Sequence, residues 1–276
     1  MKPTGSSLNP DDISNNGAAI IVKDLWKSYG NDFVLKGVDL VVPKGKIFII
    51  LGRSGVGKSV LLRQILGLER PNKGSIDVDG IRITDLEKQE LFGVMHRFGM
   101  LFQSSALFDS LTIGENIAFY LYHHGDPISK KQLPKSEIDD HVRYALEKVG
   151  LAGYEKKMPS MLSGGQKRRA ALARLIIYKP KIILYDEPTT GLDPITSKQI
   201  NELIVTTQAE LHATSIVVTH DIHSALEIGD LFGLHHDGKV LYVDEKERFL
   251  ENNNPIIRDF FLNAMIAPKY TQMVSR

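Results

Sequence analysis

Ile47-Phe48-Ile49-Ile50-Leu51-Gly52-Arg53-Ser54-Gly55-Val56-Gly57-Lys58-Ser59-Val60-Leu61-Leu62-Arg63-Gln64-Ile65-Leu66 places an apolar run, a glycine-rich loop and a helical stretch in direct succession. Five apolar residues closed by a turn read as a strand buried on both faces. Gly52 to Ser59 then fits the pattern Gly, four residues, Gly-Lys-Ser, in the strand-loop-helix setting that a phosphate-binding loop requires. Glycines let successive backbone N–H groups turn toward an anion, and the dipole of the following helix favours negative charge there. The expected phosphate-binding set is Gly52, Arg53, Ser54, Gly55, Val56, Gly57, Lys58 and Ser59. In it Lys58 reaches the β- and γ-phosphates and the Ser59 hydroxyl ligates Mg²⁺.

Outward from this loop, strand and helix signals alternate from residue 18, the pattern of an α/β protein with a largely parallel sheet. The first stretch differs. Ala19 to Val22 and Val34 to Val42 flank Tyr29-Gly30-Asn31, and Ser75 to Val78 and Ile81 to Thr84 flank Asp79-Gly80, so an antiparallel β layer is expected beside the parallel one. Between Phe108 and Ser163 strand signals vanish and two helical stretches appear, Gly114 to Tyr122 and Ser136 to Val149, read as a helical insertion. Alternation resumes with a helix over Gln166 to Tyr178, a strand over Ile182 to Tyr185, a helix over Ile195 to Leu211, a strand over Ser215 to Thr219 and a helix over Ile222 to Ile228. A hairpin at Asp237-Gly238 and a last helix over Pro255 to Ala264 follow. Residues 1–18 are expected to form a disordered tail, and Pro268 to Arg276 a loose one.

Composition narrows the function classes. The 276 residues carry 34 Lys and Arg against 33 Asp and Glu, a net charge of +1, with 42% hydrophobic residues and no cysteine. Cysteine chemistry of every kind is excluded, from disulfides to thiolate metal sites. The near-zero charge argues against a general nucleic-acid binder. A membrane-spanning helix needs about 20 apolar residues, and the longest stretch free of Asp, Glu, Lys and Arg runs only from Phe98 to Phe108. Membrane work therefore has to come from a partner.

Ile182-Ile183-Leu184-Tyr185-Asp186-Glu187 is read as the one apolar strand ending in two acids. In an open α/β sheet such an end faces the ligand crevice. Asp186 is expected in the Mg²⁺ shell and Glu187 as acceptor of the proton from a water attacking the γ-phosphate. His220 closes the strand over Ser215 to Thr219, where an imidazole can hydrogen-bond a γ-phosphate oxygen. The pairs His123-His124 and His235-His236 have no metal spacing and are read as satisfied, half-buried residues.

Leu162-Ser163-Gly164-Gly165-Gln166 precedes the helix that runs through Lys167, Arg168 and Arg169. A hydroxyl and two glycines at a helix N-terminus make an anion site. Together with the phosphate loop and the Asp186-Glu187 pair, this pentapeptide makes the chain resemble the nucleotide-binding subunit of ABC transporters over nearly its whole length. The resemblance implies an α/β fold: a P-loop NTPase ABC ATPase core over residues 19–253, with an antiparallel β subdomain and an inserted α-helical subdomain at about 104–165, then a C-terminal helix and tail over 254–276. It implies ATP hydrolysis with Mg²⁺, Tyr29 stacked on adenine, Gln103 as the Q-loop glutamine beside the metal, Asp193 in the D-loop and His220 as the switch histidine. It also implies that Ser163, Gly164, Gly165 and Gln166 meet ATP held on the opposite subunit, so a second copy of the chain is needed to complete each site.

Met100 to Thr112, Glu115 to Phe119, Arg168 to Arg174 and Asp193 to Thr196 resemble most the ATPases of Mla/Mce-type phospholipid transporters. For such a subunit the resemblance implies a transmembrane permease, an Mce-type substrate-binding protein and a small regulatory subunit as partners, and a peripheral place on the cytoplasmic face of the inner membrane. Leu107, Phe108 and Phe119 are the expected docking face for the permease. Two alternatives stand beside this reading. One is an importer ATPase for a small solute such as an amino acid; the other is a soluble ABC ATPase of iron-sulfur assembly.

Overall fold

Gly30 and Asn31 close a long antiparallel hairpin of β1 (Ala18–Tyr29) and β2 (Asp32–Pro43), with Tyr29 opposite Asp32 and Ile20 opposite Val42. The structure is a computed structural model that describes residues 17–265; the remaining parts of the expected tails, 1–16 and 268–276, lie outside the described residues. The chain divides into two units, residues 1–85 with 218–276 and residues 86–217.

In the first unit β3 (Ile47–Leu51) is buried at every position, as its unbroken apolar run requires. α1 (Lys58–Ile65) starts directly after the glycine loop and buries Leu61, Leu62 and Ile65. β4 (Lys73–Val78) pairs antiparallel with β1 and with β5 (Ile81–Arg82), which gives a four-stranded layer in the order β2-β1-β4-β5. The strand expected to reach Thr84 ends at Arg82, because Ile83–Asp85 winds into a 3₁₀ turn that buries Ile83.

The second unit opens with α2 (Lys88–Met95) and β6 (Phe98–Leu101), neither of them expected from the sequence. A glycine within a four-residue strand leaves too short a pattern to read. The insertion helices are α3 (Ile113–His124) and α4 (Lys135–Lys148), and both pack against α5 (Gly164–Tyr178). Capping boxes set two of the starts, Thr112 with Glu115 for α3 and Ser163 with Gln166 for α5. β7 (Ile182–Asp186) runs parallel to β6, Leu101 opposite Tyr185. Asp193 caps α6 (Pro194–Leu211), and β8 (Thr214–Thr219) is the strand in which the division between the units falls.

The chain re-enters the first unit with α7 (Ile222–Ile228), β9 (Leu231–His236) and β10 (Lys239–Glu245). β9 is parallel to β3, Leu51 opposite Leu234, and β10 is antiparallel to β9, Glu245 opposite Leu231. α8 (Lys246–Glu251), which the sequence reading did not anticipate, buries Phe249; α9 (Pro255–Met265) buries Ile257, Phe260 and Phe261. Among the described residues no helix is long and apolar enough to cross a membrane.

Candidate functional site

The glycine loop is shaped around its own lysine. Lys58, at the first turn of α1, is 5% exposed and donates from Nζ to the carbonyls of Gly52 at 2.8 Å and Arg53 at 3.0 Å. Gly57 caps the helix at φ +107°, and a Cβ there would lie 2.6 Å from Val34 Cγ1, so only glycine fits. Gly55 is also left-handed, at φ +80°. Left-handed glycines, the start of α1 and a buried ammonium thus lie together in one loop, the setting that a phosphate chain needs. Ser59 stands next to Lys58 and is half-buried. The N–H of Gly52 donates to the carbonyl of Thr219 at 3.3 Å, which fastens the loop to the end of β8 and sets His220 beside it.

His235 lies beneath the loop. Its Cε1 is 3.6 Å from the point a Cβ on Gly57 would occupy, it is 1% exposed, and neither ring nitrogen has a hydrogen-bond partner among the described residues. Burial first, then the Lys58 and His236 charges, press its pKa down to about 4. A neutral imidazole is therefore packed under the loop. His235 thus departs from the satisfied, half-buried histidine expected from the sequence, because strand β9 carries its ring wholly under the loop, where no polar group meets either nitrogen among the described residues.

Tyr29 ends β1 with a ring that is 45% exposed, while its hydroxyl is tied down by a hydrogen bond to the Glu69 carboxylate. Arg63 donates to the same carboxylate at 2.7 Å, and the Lys27 ammonium stands 5.3 Å from the ring centroid. Burial raises the Tyr29 pKa and the bond to Glu69 raises it further, so the phenol stays a donor. The result is a flat aromatic surface on a braced stem, able to stack a base. Glu69 carried no role in the sequence reading, since forty residues separate it from Tyr29.

In the second unit Asp186 and Glu187 stand at the C-terminal end of β7, each 8% exposed. Glu187 adopts the left-handed region at φ +50°, and Thr190 Oγ1 donates to its Oε2 at 2.9 Å. A non-glycine residue in that region costs about 1–2 kcal/mol, and such outliers gather at working sites. Gln103 is exposed just after β6, with its carbonyl held by Arg168 Nη2 at 2.7 Å. Ser163 is exposed at the start of α5, where its Oγ accepts the Gln166 N–H at 3.3 Å and keeps its own proton to donate. Gly164 follows in the open, and Gly165 is required by packing: a Cβ there would meet Thr196 Cγ2 at 2.4 Å. Asp193 spends both carboxylate oxygens on its own helix, accepting from Ile195 N and Thr196 N at 3.0 Å each and from Thr196 Oγ1 at 2.6 Å. That Thr196 hydroxyl is the main reason its pKa is lowered.

One reading needs correction. β7 is not the one apolar strand that ends in two acids, because β10 ends in Asp244-Glu245. Strand direction separates the two ends. β10 runs against β9, and β9 runs with β3, so Glu245 lies level with Leu231 and Phe48, at the opposite end of β3 from the glycine loop.

Arg168 is the residue whose role the sequence reading missed. The signal is a charged residue on the buried face of α5, spaced three, four and seven residues from Ala171, Leu172 and Leu175.

The family model described as ABC transporter matches residues 35–190, more than half of the chain. The probable ribonucleotide transport ATP-binding protein of Mycobacterium leprae is 40% identical over 252 residues, 91% of this chain and 71% of that protein. The intermembrane phospholipid transport system ATP-binding protein MlaF of Haemophilus influenzae is 42% identical over 253 residues, 92% of this chain and 94% of that one. A dimeric ATP-binding cassette solved in a post-hydrolysis state with ADP and Pi superposes with a TM-score of 0.74 at 32% identity, covering 82% of this chain and 98% of its own. The chain belongs to the ABC transporter family, as an ATP-binding cassette that hydrolyses ATP.

Proposed function

We propose that this chain is the ATPase subunit of an ABC system that moves phospholipid between membranes, acting as a pair of identical subunits on a separate membrane permease. The observation that carries the cargo is the similarity to the intermembrane phospholipid transport protein, which runs through nearly the whole of both chains. The pairing draws support from the dimeric cassette.

Each role follows from the residue's chemistry. Tyr29 stacks the adenine. Gly52, Arg53, Ser54, Gly55, Val56 and Gly57 wrap the phosphates with main-chain N–H groups, and Lys58 exchanges its two carbonyl partners for phosphate oxygens. Ser59, Gln103 and Asp186 offer a hydroxyl, an amide oxygen and a carboxylate, the hard oxygen donors that suit Mg²⁺. Mg²⁺ held by these donors would supply neutralisation of phosphate charge. Glu187 takes the proton of the attacking water, oriented by Thr190, and His220 holds a γ-phosphate oxygen. Ser163, Gly164, Gly165 and Gln166 meet the γ-phosphate bound to the other copy, with Asp193 at the seam. Two ATP molecules thus close the dimer and hydrolysis opens it, a population shift that drives the permease.

The permease docks on the loop and helix that present Phe108 and Phe119. Their rings are 4.8 Å apart and 45% and 37% exposed, and Leu107 beside them is half-buried. Asn116, fully buried, holds the loop through Phe108 N–H at 2.7 Å and the carbonyls of Phe108, Leu111 and Thr112 at 3.0–3.1 Å. An Mce-type substrate-binding protein and a small regulatory subunit complete the assembly, which holds this chain at the cytoplasmic face of the inner membrane.

The test is the complex itself. Purified with its permease into nanodiscs, it is expected to carry phospholipid by mass spectrometry and to hydrolyse ATP faster when phospholipid is supplied. Stimulation by a ribonucleotide or an amino acid with no response to phospholipid would overturn the cargo.

A further inference from the structure

Arg168 sits one turn into α5, 6% exposed, and spends its guanidinium on main-chain carbonyls. Nη1 donates to the carbonyls of Glu187 at 3.1 Å and Pro188, and Nη2 to those of Gln103 at 2.7 Å and Thr190 at 3.2 Å. Burial pulls its pKa below the ordinary arginine value, and the Glu187 carboxylate pulls the other way. Taking a guanidinium out of water to bind neutral carbonyls is an expensive way to fill space. A fork of rigid donors is the one side chain that can bridge two separate loops at once.

Both loops need such bracing. The Glu187 turn holds a left-handed residue at φ +50°, and the loop after Gln103 holds two in a row, Ser105 at +65° and Ala106 at +44°. Arg174, on the same helix, donates from Nη1 to the Ala106 carbonyl at 2.9 Å. One helix, whose first residues are Gly164 and Gly165, therefore secures both strained segments through its arginines.

We infer that Arg168 is a positioning residue for ATP hydrolysis, which holds the main chain of the Glu187 turn and the Gln103 loop in register with the start of α5. The inference rests on the proposed roles of Glu187 and Gln103. A shift of the α5 N-terminus, when it engages nucleotide, is passed through one guanidinium to the base and to the glutamine. Arg168 touches no reacting atom and acts through the residues it holds.

Single-turnover ATP hydrolysis by the full chain tests this, with Arg168→Lys and Arg168→Gln each made alone and together with Glu187→Gln. Lysine keeps the charge but has no fork, so both variants should bind a fluorescent ATP analogue within about twofold of the native Kd. Both should lose about 10- to 100-fold in rate, the scale of a small misplacement of reacting groups. Combined with Glu187→Gln they should add less than about twofold, as expected of residues acting as one unit. A native rate in the arginine variants, a full multiplicative loss on top of Glu187→Gln, or a rate loss that only tracks a lowered melting temperature overturns the inference and leaves Glu187 as base. A native rate for Glu187→Gln alone overturns the role of Glu187 and the inference with it.

Discussion

Thr190 Oγ1 donates to Glu187 Oε2 at 2.9 Å, across a turn whose first residue is itself left-handed. The carboxylate that follows β7 is thus aimed by its own turn. Removing the hydroxyl takes away one bond that fixes its orientation, and a hydrogen bond to a charged group is worth about 1.5–3 kcal/mol. Thr190→Val is expected to lower kcat about tenfold with little change in KM. Glu187→Gln should bind ATP, dimerise on a sizing column and hydrolyse about 10²–10⁴-fold more slowly, the scale of a lost general base. Phosphate release at native speed by Glu187→Gln would remove it from that role.

Lys58 is buried and its ammonium is held by the carbonyls of Gly52 and Arg53 within the glycine loop. Lys58→Ala should weaken ATP binding about 10- to 100-fold, the value of one or two charge-assisted hydrogen bonds. Titration with a fluorescent nucleotide reads this directly, and native affinity would dissociate the loop from phosphate binding.

Tyr29 and Glu69 separate the ring from its brace. Tyr29→Ala should raise Kd for ATP by about 1–3 kcal/mol, the range for a base stacked on an aromatic ring. Glu69→Ala keeps the ring and loses the anchor, so a smaller rise of about three- to tenfold in KM is expected, with kcat unchanged. An unaltered KM in both variants would place the adenine elsewhere.

The pKa of His235 is depressed from 6.5 to about 4 in the folded chain. Between those values the unfolded chain binds the extra proton, so stability rises with pH there. The contribution is fully present above 6.5 and lost as pH falls through 4, at most about 3 kcal/mol. Melting temperatures of native chain and His235→Leu should converge toward acid pH, with the native chain showing the steeper fall. Parallel curves from pH 4 to 6.5 would mean that His235 is not the group that titrates.

Phe108 offers a charge test of the docking face. Phe108→Asp places a carboxylate beside Phe119 on an exposed loop and should abolish co-purification with the permease while nucleotide binding stays intact. Retained co-purification would count against that face.

The glycine loop is legible from residues alone because every part of it is local: strand, loop and helix are contiguous, and the donors are main-chain N–H groups of consecutive residues. The caps Ser163 with Gln166 and Asp193 with Thr196 are equally local, each acting within three residues. Which Asp-Glu pair serves the site is not local. Asp186-Glu187 and Asp244-Glu245 read alike, and only the direction of β10 against β9 sets the second pair at the far end of β3 from the loop. Arg168 shows the same limit. Its carbonyl partners lie 19 to 65 residues away, and no periodicity announces where a buried guanidinium reaches. The sequence by itself determined the fold class, the family and the glycine loop between β3 and α1, because short-range patterns encode backbone conformation. Only tertiary structure decided which side chains brace Tyr29, Gln103 and Glu187, because burial and long-range hydrogen bonds arise when distant segments pack.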